Sequence, residues 1–140
     1  MRAYQLKIEM IELPTVWRRV IVPENISFET LHYVIQYAMG WHDAHLYEFS
    51  TSDDPTCYTN NLEGIDEYEY LRENPDSVRD SWDEETLARP LVLASSVHID
   101  QILTRAKKLG YLYDFGDDWE VAITLDEVIG DYSNSFAICT

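Results

Sequence analysis

Apolar and polar side chains alternate through Tyr4, Leu6, Ile8 and Met10 against Gln5, Lys7 and Glu9, the period of a β-strand with one face in a core and the other in water. Leu13-Pro14 breaks the run. Residues 17–22, rich in β-branched and aromatic types, then predict a second strand that pairs with the first as a hairpin and ends at Pro23. From there the period changes. Phe28, Leu31, Val34, Ile35, Ala38 and Met39 recur at steps of three and four between Ser27, a good N-cap, and Gly40, a good stop, so a helix is predicted over 27–39. Tyr47 and Phe49, set against Leu46 and Glu48, predict a third strand over 46–50.

Between residues 53 and 85 stand twelve carboxylates opposed only by Arg72 and Arg79. This predicts a solvated acidic excursion over about 53–90, with helical order at 65–72, mobile flanks, and Tyr68, Tyr70, Leu71 and Trp82 as anchors. Ile99, Ile102, Leu103 and Ala106 mark a further helix over 98–109, with Arg105, Lys107 and Lys108 where cations suit the helix dipole and Gly110 as its stop. Residues 111–115 and 119–128 flank Gly116-Asp117-Asp118, the pattern of a β-hairpin. The expected fold is a single α+β domain over 1–140 in the order ββαβ, acidic excursion, αββ. Its antiparallel sheet is covered on one face by the helices at 27–39 and 98–109. A ubiquitin-like roll is the alternative, because it too opens with a hairpin followed by a crossing helix.

Composition narrows the function. The chain has 140 residues, 46% of them hydrophobic and 13% aromatic, enough for one packed core. Twenty-six acidic residues against ten basic ones set the formal net charge at -16, which repels phosphate backbones. Direct nucleic-acid binding is disfavoured, since affinity for nucleic acid rests on several Lys and Arg contacts that release counterions. Cys57 and Cys139 lack metal or redox spacing and read as reduced thiols of a cytoplasmic protein. No apolar run approaches the roughly 20 residues that span a bilayer.

Two clusters carry candidate chemistry. Trp41-His42-Asp43-Ala44-His45 places two imidazoles three residues apart just after a helix stop, and Tyr113-Asp114-Phe115-Gly116-Asp117-Asp118-Trp119-Glu120 crowds three aspartates and three aromatics around one glycine. His42, His45 and Asp117, or Asp114 or Asp118 in its place, are the candidate ligands for one divalent ion. The plain alternative makes Trp41 a core anchor, Asp43 a cap and His45 a partner for backbone carbonyls. It also makes Asp117 and Asp118 acceptors for the turn's own amides, with Gly116 at a left-handed angle. Trp17 and Arg19 share one sheet face and Arg18 the other. A guanidinium among apolar neighbours is stable mainly when it forks onto a carboxylate, so an ion pair is expected from Arg18 or Arg19 to Asp114, Asp117 or Asp118, with His45 as another partner for Asp114.

Val16-Trp17-Arg18-Arg19-Val20, residues 39–49 around Trp41, and residues 113–120 together resemble the Ri-plasmid ORF-three-like family. That resemblance implies an α+β fold with antiparallel strands and implies no established activity; the label of transposon resolvase that some members carry has no support in these residues. A serine recombinase needs an activated serine among several arginines and a DNA-binding module, and the chain shows neither. Two departures stand out. Many members read Trp-Glu-His where this chain has Trp119-Glu120-Val121, and members usually run on into a Gly-rich tail, whereas this sequence stops at Cys139-Thr140.

Three functional readings follow. The first is a small interaction or adaptor module with a basic protein partner, for which complementary charge speeds encounter. A metal-dependent hydrolase-like enzyme using His42, His45 and a hairpin aspartate is the second, and a mobile-element accessory protein the third. All three draw on one polar cleft formed by Trp41, His42, Asp43, His45, Asp114, Asp117, Asp118 and Trp119, with Arg18 and Arg19 beside it.

Overall fold

The computed structural model describes residues 2–132 and the backbone of 138–139. Its first hairpin, β1 (Ala3–Met10) and β2 (Trp17–Pro23), leads into α1 (Phe28–Met39) and β3 (Tyr47–Ser50). The acidic segment holds β4 (Cys57–Thr59), α2 (Leu62–Glu73), α3 (Ser81–Ala88) and β5 (Leu91–Leu93). The chain then runs through α4 (Asp100–Leu103), β6 (Lys108–Tyr113), β7 (Trp119–Ile129) and β8 (Ile138–Cys139). One sheet collects all the strands in the order β5-β4-β3-β6-β7-β1-β2-β8, antiparallel at every pair except β4 with β5. The α+β architecture with helices packed on a mainly antiparallel sheet is the one expected, and the described strands follow one another in an open linear order.

Register puts the apolar set of every central strand on one face. Ile8 lies opposite Ile123, Met10 opposite Val121, Leu6 opposite Val20, Phe49 opposite Tyr111 and Tyr47 opposite Tyr113. All of these are buried, and α1 covers them with Phe28, Leu31 and Ile35 while Ile99 and Leu103 close the layer at and beside α4. The boundaries of α1 follow from local chemistry. The Ser27 hydroxyl accepts the Thr30 amide at 3.1 Å, and Gly40 ends the helix at φ 72°, in the left-handed region, with its N–H returned to the last carbonyls.

Two expectations need correction. The helix predicted over 98–109 is only the single turn Asp100–Leu103, because Leu109 and Tyr111 are buried on the core face and draw the chain from Lys108 into β6. Strand pairing across both neighbours outweighs the helical spacing there. The acidic segment is ordered structure and not a loose excursion: β4 extends the sheet beyond β3, and α2 and α3 return the chain so that β5 lies parallel to β4. Helical order extends well past 65–72, with Asn61 and Asp80 capping α2 and α3. These two helices sit on the face opposite α1. Tyr58 stacks on Phe28 of α1, whereas Leu91, which alternates with Val92, meets α2 at Gly64, where a Cβ would stand 3.1 Å from the Leu91 side chain. Cys57 is a buried free thiol; the Cys139 side chain lies outside the described residues.

A Cβ at position 40 would meet nothing within 4 Å, so Gly40→Ala changes backbone energy alone. The expected loss is about 1 to 2 kcal/mol, the cost of holding a non-glycine residue left-handed, seen as a lower urea midpoint with an unchanged m-value.

Candidate functional site

Folding brings the loop after α1 against the tip between β6 and β7. The Asp114 amide donates to the Leu46 carbonyl at 3.0 Å, and the Tyr113 hydroxyl accepts the Ala44 amide at 2.8 Å. Trp41 stacks on Tyr113 with ring centroids 5.2 Å apart and planes 10° from parallel, and the Trp119 ring lies 6.4 Å from it. His45 Nε2 stands 3.5 Å from Asp114 Oδ2. Trp41, Asp43, His45, Asp114 and Trp119 therefore belong to one assembly, with Trp41 as a core anchor.

Beneath the loop lies a closed polar ring that the sequence pattern did not single out. His32 is buried in α1, its ring stacked on Tyr47 at a centroid distance of 3.7 Å. Its Nε2 is 2.5 Å from Asp43 Oδ1 and its Nδ1 is 2.7 Å from the Tyr111 hydroxyl. Gln36 Nε2 donates to the same hydroxyl at 2.9 Å, and Gln36 Oε1 accepts the Asp43 amide at 2.8 Å. An acceptor-only carboxylate requires Nε2–H to point at Asp43, and in the neutral ring Nδ1 then accepts the Tyr111 O–H. Burial pushes the His32 pKa down against the opposing pull of Asp43. The signal lay in α1 itself, where His32 and Gln36 sit one turn apart beside the apolar stripe of Leu31 and Ile35.

Three non-glycine residues among those described have positive φ: Asp43 at 51°, Asp114 at 62° and Asp118 at 55°. All fall in the two landmark segments, and aspartate is among the residues that tolerate this region best. Gly116 is not left-handed; Asp114 and Asp118 are the left-handed residues of the tip. Asp114 Oδ1 accepts the Gly116 and Asp117 amides at 3.2 and 3.4 Å, the turn-capping work expected of Asp117 and Asp118. Those two aspartates are exposed, as is His42.

The ion pair expected from Arg18 or Arg19 to the hairpin aspartates does not form. Arg18 donates to the Trp17 carbonyl, while Arg19 lies 3.7 Å from Asp126 and over the Trp17 ring. β1 and β7 separate β2 from β6, three strand spacings or about 14 Å. His45 is the partner of Asp114 instead. Nor do the candidate metal ligands converge: among the described residues no group of three or more His, Cys, Asp or Glu side chains could share an ion. Both ring nitrogens of His32 are engaged, and the half-exposed His45 lines the same pocket as His32 and Asp43.

The tip also reaches the other face of the sheet. Phe115, 37% exposed, lines a groove of about 400 Å³ between the α2–α3 pair and the outer face of β3 and β6, together with Trp82, Leu112 and the carboxylates Glu48, Glu67 and Glu85. Arg89 of this groove donates to Glu48 at 3.0 Å and also lies 3.1 Å from the Cys57 sulfur, whose pKa burial pushes up.

A family model described as plasmid pRiA4b ORF-3-like protein matches residues 2–140. The chain is 39% identical over 114 residues to "Uncharacterized protein y4hQ" of Sinorhizobium fredii, a match covering 81% of this chain and 47% of that protein, so the chain spans about half of that relative's length. It is also similar to the crystal structure of MM3350, a protein of unknown function from Methanosarcina mazei Go1. There the TM-score is 0.70 at 28% identity, with 99% of this chain and 68% of that one covered.

Tyr111→Phe strands the Gln36 amide donor and the His32 Nδ1 acceptor in the interior, and the expected destabilisation is about 1 to 3 kcal/mol by urea unfolding. His32 also sets a pH dependence. Its pKa is lower folded than unfolded, so its contribution is complete above about 6.5, the unfolded value, and is lost as pH falls through the depressed folded value. The urea midpoint should drop between pH 7.5 and 5.5, and less so in His32→Gln.

Proposed function

The chain belongs to the plasmid pRiA4b ORF-3-like family, and from that premise we propose that it is a cytoplasmic binding module whose acidic, aromatic surface docks a basic partner protein. The carrying observation is that large aromatic side chains stand in solvent on a chain of net charge -16: Tyr37 is 85% exposed, Trp82 76% and Tyr70 57%. Aromatic side chains supply the buried anchors of protein interfaces. The surrounding negative field speeds the approach of a positive partner and turns away nucleic acid. A mobile-element accessory role is a special case of the same chemistry, in which the basic partner is itself a DNA-binding protein.

Support also comes from the polar ring, which ties the loop to α1 and β6, and from the Ala44–Tyr113 and Asp114–Leu46 bonds that join that loop to the hairpin. A pre-ordered surface loses less entropy on docking. Catalysis by metal-bound water would call for ligands that converge, and His42, His45 and Asp117 do not.

The test is an array of immobilised peptides that vary only in Lys and Arg content, probed with the intact protein at physiological salt. Retention should rise with basic charge and weaken as salt is added, and a duplex DNA probe should not be retained. Equal retention on neutral and basic peptides would refute the reading.

A further inference from the structure

Resting on that reading and deepening it, we infer that the groove between the α2–α3 pair and the hairpin tip is the docking point, and that it takes an arginine side chain of the partner. The groove has walls of two kinds. Trp82 on α3 and Phe115 on the tip present aromatic rings, 76% and 37% exposed, and Leu112 of β6 adds an apolar surface. Glu67 of α2 and Glu85 of α3, both exposed, face the same space, and neither has an ion pair among the described residues.

The charge balance selects the ligand's sign. Arg89 is the cation of the groove, and it already donates to Glu48 at 3.0 Å. Two carboxylates are left uncompensated beside two exposed rings. That pairing suits a guanidinium, which is planar, weakly hydrated and able to lie on an aromatic face while its N–H groups fork onto carboxylates. An ammonium shares the charge but not the flat stacking surface. An anion or a neutral apolar segment would leave Glu67 and Glu85 facing it without compensation.

Geometry adds a reason for the position of Phe115. Tyr113 points into the core, and left-handed Asp114 breaks the strand alternation there, so that Asp114 turns to His45 while Phe115 is presented at the groove on the opposite face.

The test follows the indole N–H of Trp82, assigned with Trp82→Phe, in heteronuclear NMR titrations of the intact chain. Three probes are used: a blocked Gly-Arg-Gly-Arg-Gly peptide, the same peptide with citrulline, and methylguanidinium alone. The arginine peptide should shift this resonance and citrulline should not, with methylguanidinium binding at least about tenfold more weakly than the peptide. Trp82→Ala should weaken the peptide about fivefold or more, the size of a lost cation–π contact. Glu67→Gln with Glu85→Gln should do at least as much, while the remote pair Glu12→Gln with Glu127→Gln should change affinity less than twofold. All of these positions are exposed, so the variants keep the fold. If basic peptides bind but the groove variants behave like the remote pair, the groove assignment is overturned and the binding-module reading survives. If the arginine peptide binds no better than citrulline, both are overturned, and equal binding of methylguanidinium overturns the peptide assignment.

Discussion

The hydrogen-bonded ring of His32, Tyr111, Gln36 and Asp43 is the constraint on which the other features rest. It joins α1 to β6 across 79 residues of sequence through the His32–Tyr111 bond, and joins both to the loop that follows the helix. Each polar group in it has a partner, which matters because an unpaired buried donor or acceptor costs about 1 to 3 kcal/mol. A ring that closes in only one arrangement also selects one arrangement: α1 cannot slide or rotate over the sheet without breaking several of these bonds together. Aromatic packing then builds outward from it, Tyr47 on His32 and Trp41 on Tyr113.

The hairpin tip converts this interior order into surface chemistry on both sides of the sheet. On the α1 side, Asp114 meets His45 and the loop main chain. On the α2–α3 side, Phe115 and Trp82 line one acidic groove. Three aspartates at positive φ are the local cost of these sharp turns, a form of backbone strain that the surrounding packing and hydrogen bonds must outweigh. The acidic character of the chain is concentrated where the sheet is widened by β4 and β5, so the segment with the greatest charge is also the one that shapes a groove.

Much of the fold was legible because local signals agreed with one another. Alternation in β1, the Ser27 and Gly40 boundaries of α1 and the aromatic runs around Gly116 each specify an element without help from distant residues. β4 and β5 were not legible, since three-residue strands carry too little pattern to be told from loop. α3 was hidden by its acidity and by Trp82, an aromatic that points to water where an anchor was expected. The end of the last predicted helix failed for the opposite reason: Arg105, Lys107 and Lys108 fit a helix terminus locally, yet pairing with β3 and β7 draws the chain from Lys108 into a strand.

By itself the sequence determined the α+β class, the strongly negative surface, the main helix and the two segments that matter, those around Trp41 and Trp119. Periodicity and capping are properties of neighbours along the chain, and they survive in one dimension. Tertiary structure alone decided that His32, Gln36 and Tyr111 form a ring with Asp43, that His45 rather than an arginine answers Asp114, and that Trp82 and Phe115 share a groove. Those partnerships depend on strand order and helix placement, which bring residues far apart in the chain to one site and leave β1 and β7 between Arg18 and Arg19 on β2 and the β6 end of the tip they were expected to reach.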